Sequence, residues 1–275
     1  ASAVFNYCLS SGIDNDVSNN NPVENTTNSP IFNNSANDDF TLHPTSPAIE
    51  SAYLTYAPPT DLLGNSRPFG VNADLGCYEF QNTVVWTGAT SNEWNNGSNW
   101  STNTVPNSNS YVIIPNLFPR PVVSSPNDVA GVVKIYEGTS ITINNNLNKL
   151  TVQEIHLDTN SNITMSNGEL VCNNNFYCHG ALVLSGGILD INGDFNFYSN
   201  SYSAINDGNI KVAGNWNSSS APLVSFIGGT LTMDGSASQT LAMDQNMFLK
   251  NLTIASSNSV VTAENDLNIK GDLVI

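Results

Sequence analysis

From Leu150 to the end of the chain, apolar residues recur in pairs separated by one position, and the pairs return at a nearly constant interval. They are Leu150 with Val152, Leu170 with Cys172, Leu189 with Ile191, Ile210 with Val212, Leu231 with Met233, Leu252 with Ile254, and Leu273 with Ile275. Their first members lie 20 and 19 residues apart and then settle at 21. Alternation over two residues is the strand period, so each pair faces one side of a strand. The residues between them, Thr151, Val171, Asp190, Lys211, Thr232, Thr253 and Val274, face the other side. Glycine precedes four of these strands, at Gly168, Gly187, Gly208 and Gly229, where a corner needs φ > 0. A second ladder keeps similar spacing: Asn175-Phe176, Asp194-Phe195 and Asn215-Trp216 place an amide or carboxylate beside an aromatic ring on a neighbouring face.

A period of about 21 residues is too short for two packed helices and fits one coil of a parallel β-solenoid with two or three short strands per turn. Right-handed winding is expected. Residues 132–275 are therefore read as stacked coils, in which Asp190 and Lys211 should be next-door neighbours and pair. The chain stops in mid-coil at Ile275, and an open coil leaves an unpaired strand edge, so the repeats are expected to continue past this residue.

Residues 1–82 lack this period and carry short apolar runs between proline and glycine turns. Pro30-Ile31-Phe32 and the run from Asp39-Phe40-Thr41-Leu42 through Ser46-Pro47-Ala48-Ile49 resemble the last coils of right-handed parallel β-helix domains of the pectate-lyase-like class. Asp61-Leu62-Leu63-Gly64-Asn65-Ser66-Arg67-Pro68-Phe69-Gly70, followed by Ala73-Asp74-Leu75-Gly76-Cys77-Tyr78-Glu79, is similar to the segment that closes those domains, with Cys77 departing from the small residue usual there. Residues 83–131, with Trp86-Thr87-Gly88, Trp94, Asn99-Trp100-Ser101, Val105-Pro106 and Tyr111 to Pro115, look like a Trp-containing module that opens onto solenoid coils. Together these segments resemble large surface proteins of the type IX secretion system. The resemblance implies an extracellular, cell-surface location, with the secretion machinery and neighbouring domains of the same polypeptide as partners.

Composition narrows the function classes. With 40% hydrophobic residues a chain of 275 residues can bury a core, while 7 Lys+Arg against 23 Asp+Glu give a net charge of -16. Such a field repels nucleic acid and anionic lipid, and no apolar run is long enough to insert in a membrane. Polarity rests on Asn, Ser and Thr, residues of turns and strand faces, so helix should be scarce. The four cysteines, Cys8, Cys77, Cys172 and Cys178, show no zinc spacing; Cys172 takes an inward place and Cys178 falls near that of Phe197, so both read as core residues, with a local disulfide as the alternative.

No catalytic constellation stands out, so the chain is read as a non-enzyme. Polysaccharide-cleaving β-helix enzymes use basic residues beside carboxylates, whereas here Arg67, Arg120, Lys134, Lys149, Lys211, Lys250 and Lys270 are scattered. Arg67 belongs to the closing motif and should form a structural ion pair. The histidines His43, His156 and His179 sit in unrelated sequence contexts. Asp14 with Asp16, and Asp38 with Asp39, are candidate oxygen ligands for Ca²⁺, weighed against solvated turn residues. Trp86, Trp94 and Trp100 are candidate stacking platforms for surface glycans, weighed against the core of a small module. The expected function is a structural or adhesive stalk; a carbohydrate-binding module, or the non-catalytic tail of a polysaccharide lyase or hydrolase with its active site upstream, is the rival.

Overall fold

The structure is a computed structural model that describes residues 9–10, 23–24, 31–52, 54, 57–198, 201–221, 223–256 and 260–275. The chain forms two compact units, Ala1–Val84 and Val85–Ile275.

In the first unit Leu9–Ser10 pairs parallel with Val23–Glu24, and Phe32–Asn34 pairs antiparallel with Asp39–Leu42. The antiparallel hairpin is a feature that the parallel-coil resemblance does not supply. Leu42, Ala48, Ile49 and Ala73 are buried. The described residues from 43 to 80 are mostly irregular, and several of their backbone donors are satisfied by carboxylates. Asp61 accepts the N–H groups of Leu63, Asn65 and Glu79, and Asp74 accepts from the Glu50 N–H at 2.7 Å. Glu50 accepts from Val71 and Asn72. Glu79 takes the Arg67 Nε–H at 2.7 Å and the Phe69 N–H at 2.9 Å; Arg67 and Glu79 are both buried, and this is the ion pair expected of Arg67. Each charge sits where a loop would otherwise leave a backbone group unpaired.

The second unit is a parallel β-solenoid of about seven turns with about 21 residues per turn. Three strips of strand build the central turns. The first is a sheet running from Tyr111–Ile114 through Val132–Ile135, Glu154–Leu157, Phe176–Cys178, Phe195–Phe197, Trp216–Ser218 and Gln239–Met243 to Val261–Ala263. The second and third belong to one larger sheet, because Ala181–Ile191 and Tyr202–Val212 run through both as single strands of 11 residues, irregular in register near Ser185. The solenoid starts one coil earlier than residue 132: Tyr111–Ile114 is in register with Val132–Ile135, Val122 with Thr142, and Asp128–Val129 with Leu150–Thr151.

The apolar pairs from Leu150 to Ile254 stack as the sequence predicts, whereas Leu273 and Ile275, expected to face inward, are exposed. Leu150, Leu170, Leu189, Ile210, Leu231, Leu252 and Leu273 are successive register partners, and so are Val152, Cys172, Ile191, Val212, Met233 and Ile254. From Leu150 to Leu252 the first series is fully buried. Each such side chain is worth roughly 1.5–3 kcal/mol of hydrophobic stabilisation. The second ladder also holds. Phe176, Phe195 and Trp216 are register partners whose rings meet at 4.8 and 4.9 Å between centroids in edge arrangements. Beside them the Asn175 Oδ1 accepts the Asp194 N–H, the Asp194 Oδ1 accepts the Asn215 N–H, and the Asn215 Oδ1 accepts the Thr240 N–H, at 2.7–2.8 Å. Across these four strands each coil thus binds the next through a side chain as well as through its backbone.

The corners carry the backbone constraint. Gly168, Gly187, Gly208 and Gly229 have φ of 78°, 85°, 92° and 73°, and they stack, so that a Cβ on Gly208 would stand 2.9 Å from the Gly187 carbonyl oxygen. The turn between Met233 and Gln239 is longer than the equivalent turns after Cys172, Ile191 and Val212 and is closed from inside. Buried Gln239 donates to the carbonyls of Val212 (2.8 Å) and Gly214 (2.6 Å) and accepts the Gly235 N–H.

Asp190 and Lys211 are register partners on the outward side, but no ion pair within 4.0 Å joins them. Register fixes the neighbouring Cα atoms but not the rotamers of the short Asp190 and the long Lys211, both half-exposed. The lateral ion pair between coils on this sheet is Lys149 with Glu169, at 3.0 Å. Cys172 and Cys178 are free, buried thiols. Burial raises both, Cys178 to about 12, so neither is a thiolate.

Candidate functional site

The tryptophans form the core of the segment that leads into the solenoid. Trp86, Trp94 and Trp100 are buried, and Trp100 meets Trp86 at 4.9 Å and Trp94 at 4.8 Å, both edge-on. Trp86 Nε1–H donates to the Pro119 carbonyl and Trp100 Nε1–H to the Trp94 carbonyl, each at 2.8 Å. Buried Asn99 organises the loop around them. Its Oδ1 accepts from Thr90 and Ser91, and its amide donates to Ser91 Oγ and the Glu93 carbonyl. None of the three indole faces is open to a sugar ring.

Asp14 and Asp16 lie outside the described residues. Asp38 ends a short 3-10 turn with φ of 61°, and exposed Asp39 accepts from the Thr41 N–H and hydroxyl, which hold its carboxyl below the usual range. Asp39 thus serves its own turn. Among the described residues no three His, Cys, Asp or Glu side chains converge to hold a metal ion.

The side chains that do converge were not apparent from the sequence. Lys134, His156 and Tyr177 are successive register partners on the outward side of the first sheet. Lys134 pairs with Asp158 at 2.7 Å, and the His156 Nε2 lies 2.6 Å from the Glu154 Oε1. His156 stacks on Tyr177 at 4.7 Å, and His179 stacks on Tyr198 at 4.0 Å with an interplanar angle of 4°. Burial pushes the His179 imidazole below its ordinary value, and the Lys134 charge adds to this. So His156 and His179, unrelated in sequence, share one strip. The signal that finds them is the repeat itself, which sets a residue beside the one about 21 positions later. Both carboxylates here are engaged, Glu154 by His156 and Asp158 by Lys134, and the rings turn their faces to one another. The strip ties adjacent coils together.

A family model described as a domain of unknown function (DUF8693) matches residues 85–211, beginning at the first residue of the second unit and covering the tryptophan segment and the first coils. No curated protein and no solved structure matches the chain.

Proposed function

We propose that this chain is a stiff structural segment, a stalk that spaces or displays neighbouring domains of a large secreted bacterial cell-surface protein. The observation that carries the reading is the unbroken parallel register of the second unit, in which backbone and apolar interior link each coil to the next and, in the central coils, an aromatic column and an amide ladder join them. Elements that touch only their neighbours along one axis make a rod, here on the order of 30 Å long at ~4.8 Å per coil. The secretory setting rests on the likeness of the first 82 residues and the tryptophan segment to type IX surface proteins. Partners are then the export machinery and the flanking domains. The strong negative charge argues against nucleic acid. The pairing of the clustered carboxylates supports a segment without catalysis of its own.

Replacing residues 111–275, in the full-length protein on cells, with a Gly/Ser linker of equal residue number tests this. Loss of display of the domains beyond it, with export retained, is the expected result. Unchanged display, or turnover of pectin, alginate or neutral glycans that disappears on changing one carboxylate pair, would overturn it. Glycan binding that survives in the linker variant would move any adhesive role to other domains.

A further inference from the structure

The chain contains three Asn-Gly steps, Asn96-Gly97, Asn167-Gly168 and Asn192-Gly193. At such a step the glycine backbone nitrogen attacks the asparagine Cγ. The new N–Cγ bond replaces Cγ–Nδ2, ammonia leaves, and a cyclic succinimide remains. One water then opens the ring at either carbonyl and leaves aspartate or isoaspartate. No oxidant or enzyme is needed. The step does need an asparagine side chain free to swing toward the glycine nitrogen, a glycine N–H not held in a hydrogen bond, and access for water.

The structure meets these needs at one step and blocks them at two. Asn96 caps a short turn: its Oδ1 accepts the Ser98 N–H at 3.1 Å, and its amide donates to Thr90 Oγ1 at 3.1 Å, so the Cγ is held away from the Gly97 nitrogen. At the third step the attacking nitrogen is occupied, since the Gly193 N–H donates to the Asn174 carbonyl at 3.1 Å. The Asn192 amide also reaches Asn173 Oδ1 at 3.4 Å. Asn167, in contrast, is exposed at the corner between Asn162–Met165 and Glu169–Cys172, and neither its side chain nor the Gly168 N–H has a hydrogen bond among the described residues.

We propose that Asn167 is a site of self-modification, converting with water to aspartate and isoaspartate in the folded protein. The site belongs to the glycine column. A Cβ on Gly187 would stand 2.8 Å from the Gly168 carbonyl oxygen and 3.0 Å from the Asn167 carbonyl carbon. The extra main-chain carbon of an isoaspartate therefore enters a corner where the next coil is already in close contact, and it loosens that corner first.

The test is peptide mapping of the whole folded chain after incubation at mildly alkaline pH, with isoaspartate scored by enzymatic methylation, beside a sample held in urea. Acid at 167 should accumulate first in the folded chain while 96 and 192 stay amides, and all three should convert at similar rates in urea. Asn167→Gln should leave position 167 unconverted and the melting temperature unchanged. No conversion at 167 in the folded chain, conversion at 96 or 192 that keeps pace with it, or the same selectivity in urea would each overturn the proposal.

Discussion

Leu189→Asp sets the strongest test of the register, read against Asp190→Ala next to it. Leu189 is fully buried between Leu170 below and Ile210 above, whereas Asp190 is half-exposed between Val171 and Lys211. Removing the leucine side chain alone, as in Leu189→Ala, costs about 2–5 kcal/mol through lost burial and the cavity left behind. A carboxylate in its place adds several kcal/mol, because no cation faces the interior there to pair with it. That sum approaches the roughly 5–15 kcal/mol that holds a whole domain together. Asp190 has no ion pair within 4.0 Å, and its charge works against the burial-raised Asp234, so Asp190→Ala should fall within about 0.5 kcal/mol of the parent. Thermal denaturation followed by far-ultraviolet dichroism and by tryptophan emission reads both. Leu189→Ala should lower the midpoint by roughly 5–20 °C, and Leu189→Asp should leave no cooperative transition in the central coils. Equal shifts for Leu189→Asp and Asp190→Ala, or a larger loss from the aspartate, would refute the inward and outward assignment.

Gly208→Ala places a side chain on a residue at φ 92° and 2.9 Å from the Gly187 carbonyl oxygen; a loss of about 1–2 kcal/mol in urea unfolding is expected, and none at the nearby exposed position Asn206→Ala. Burial raises both Glu50 and Asp74 to about 7, from ordinary values of 4.5 and 3.8, so the folded first unit holds these protons more tightly than the unfolded chain does. Their contribution to stability is greatest below about pH 4 and is lost as pH rises to about 7; amide hydrogen exchange of residues 48–80 should show stronger protection at pH 5 than at pH 8 after correction for intrinsic rates. Cys77 is exposed while Cys172 and Cys178 are buried, so alkylation of the native protein should label Cys77 and spare the other two until the chain is unfolded.

The parts of the fold that could be read in advance are those where one chemical contrast repeats. Leu150 to Leu273 and Phe176 to Trp216 announce their register because an inward apolar residue recurs at the same interval on every coil. The coil beginning at Tyr111 is hidden in the sequence, since Pro115, Pro119 and Pro121 interrupt it and Val122 is held only by isolated bridges to Glu93 and Thr142. Pairing between Asp190 and Lys211 failed where adjacency held, because a backbone ladder does not dictate the rotamer of an exposed side chain. The Lys134, His156, Tyr177 and His179 strip was invisible for another reason: its members differ chemically from coil to coil, so no pattern links them until the register is known. Which backbone groups Asp61, Asp74 and Glu79 would satisfy depends on loop paths that no periodicity encodes.

The unequal corners have a consequence for how such a chain can change. Phe176 and Phe195 are partners 19 residues apart, and Trp216 and Leu241 are partners 25 apart, yet both steps advance the solenoid by one coil. The difference is absorbed at the short corner around His179-Gly180 and beyond Met233, where the corner is longer and Gln239 and Thr240 extend the strand ahead of Leu241. A sequence that gains or loses a few residues at such a corner shifts nothing in the coils on either side. Insertions and deletions that would scramble an alternating sheet elsewhere become here a tolerated form of drift, and the exposed residues 236–238 of the long corner are the place to graft a foreign loop.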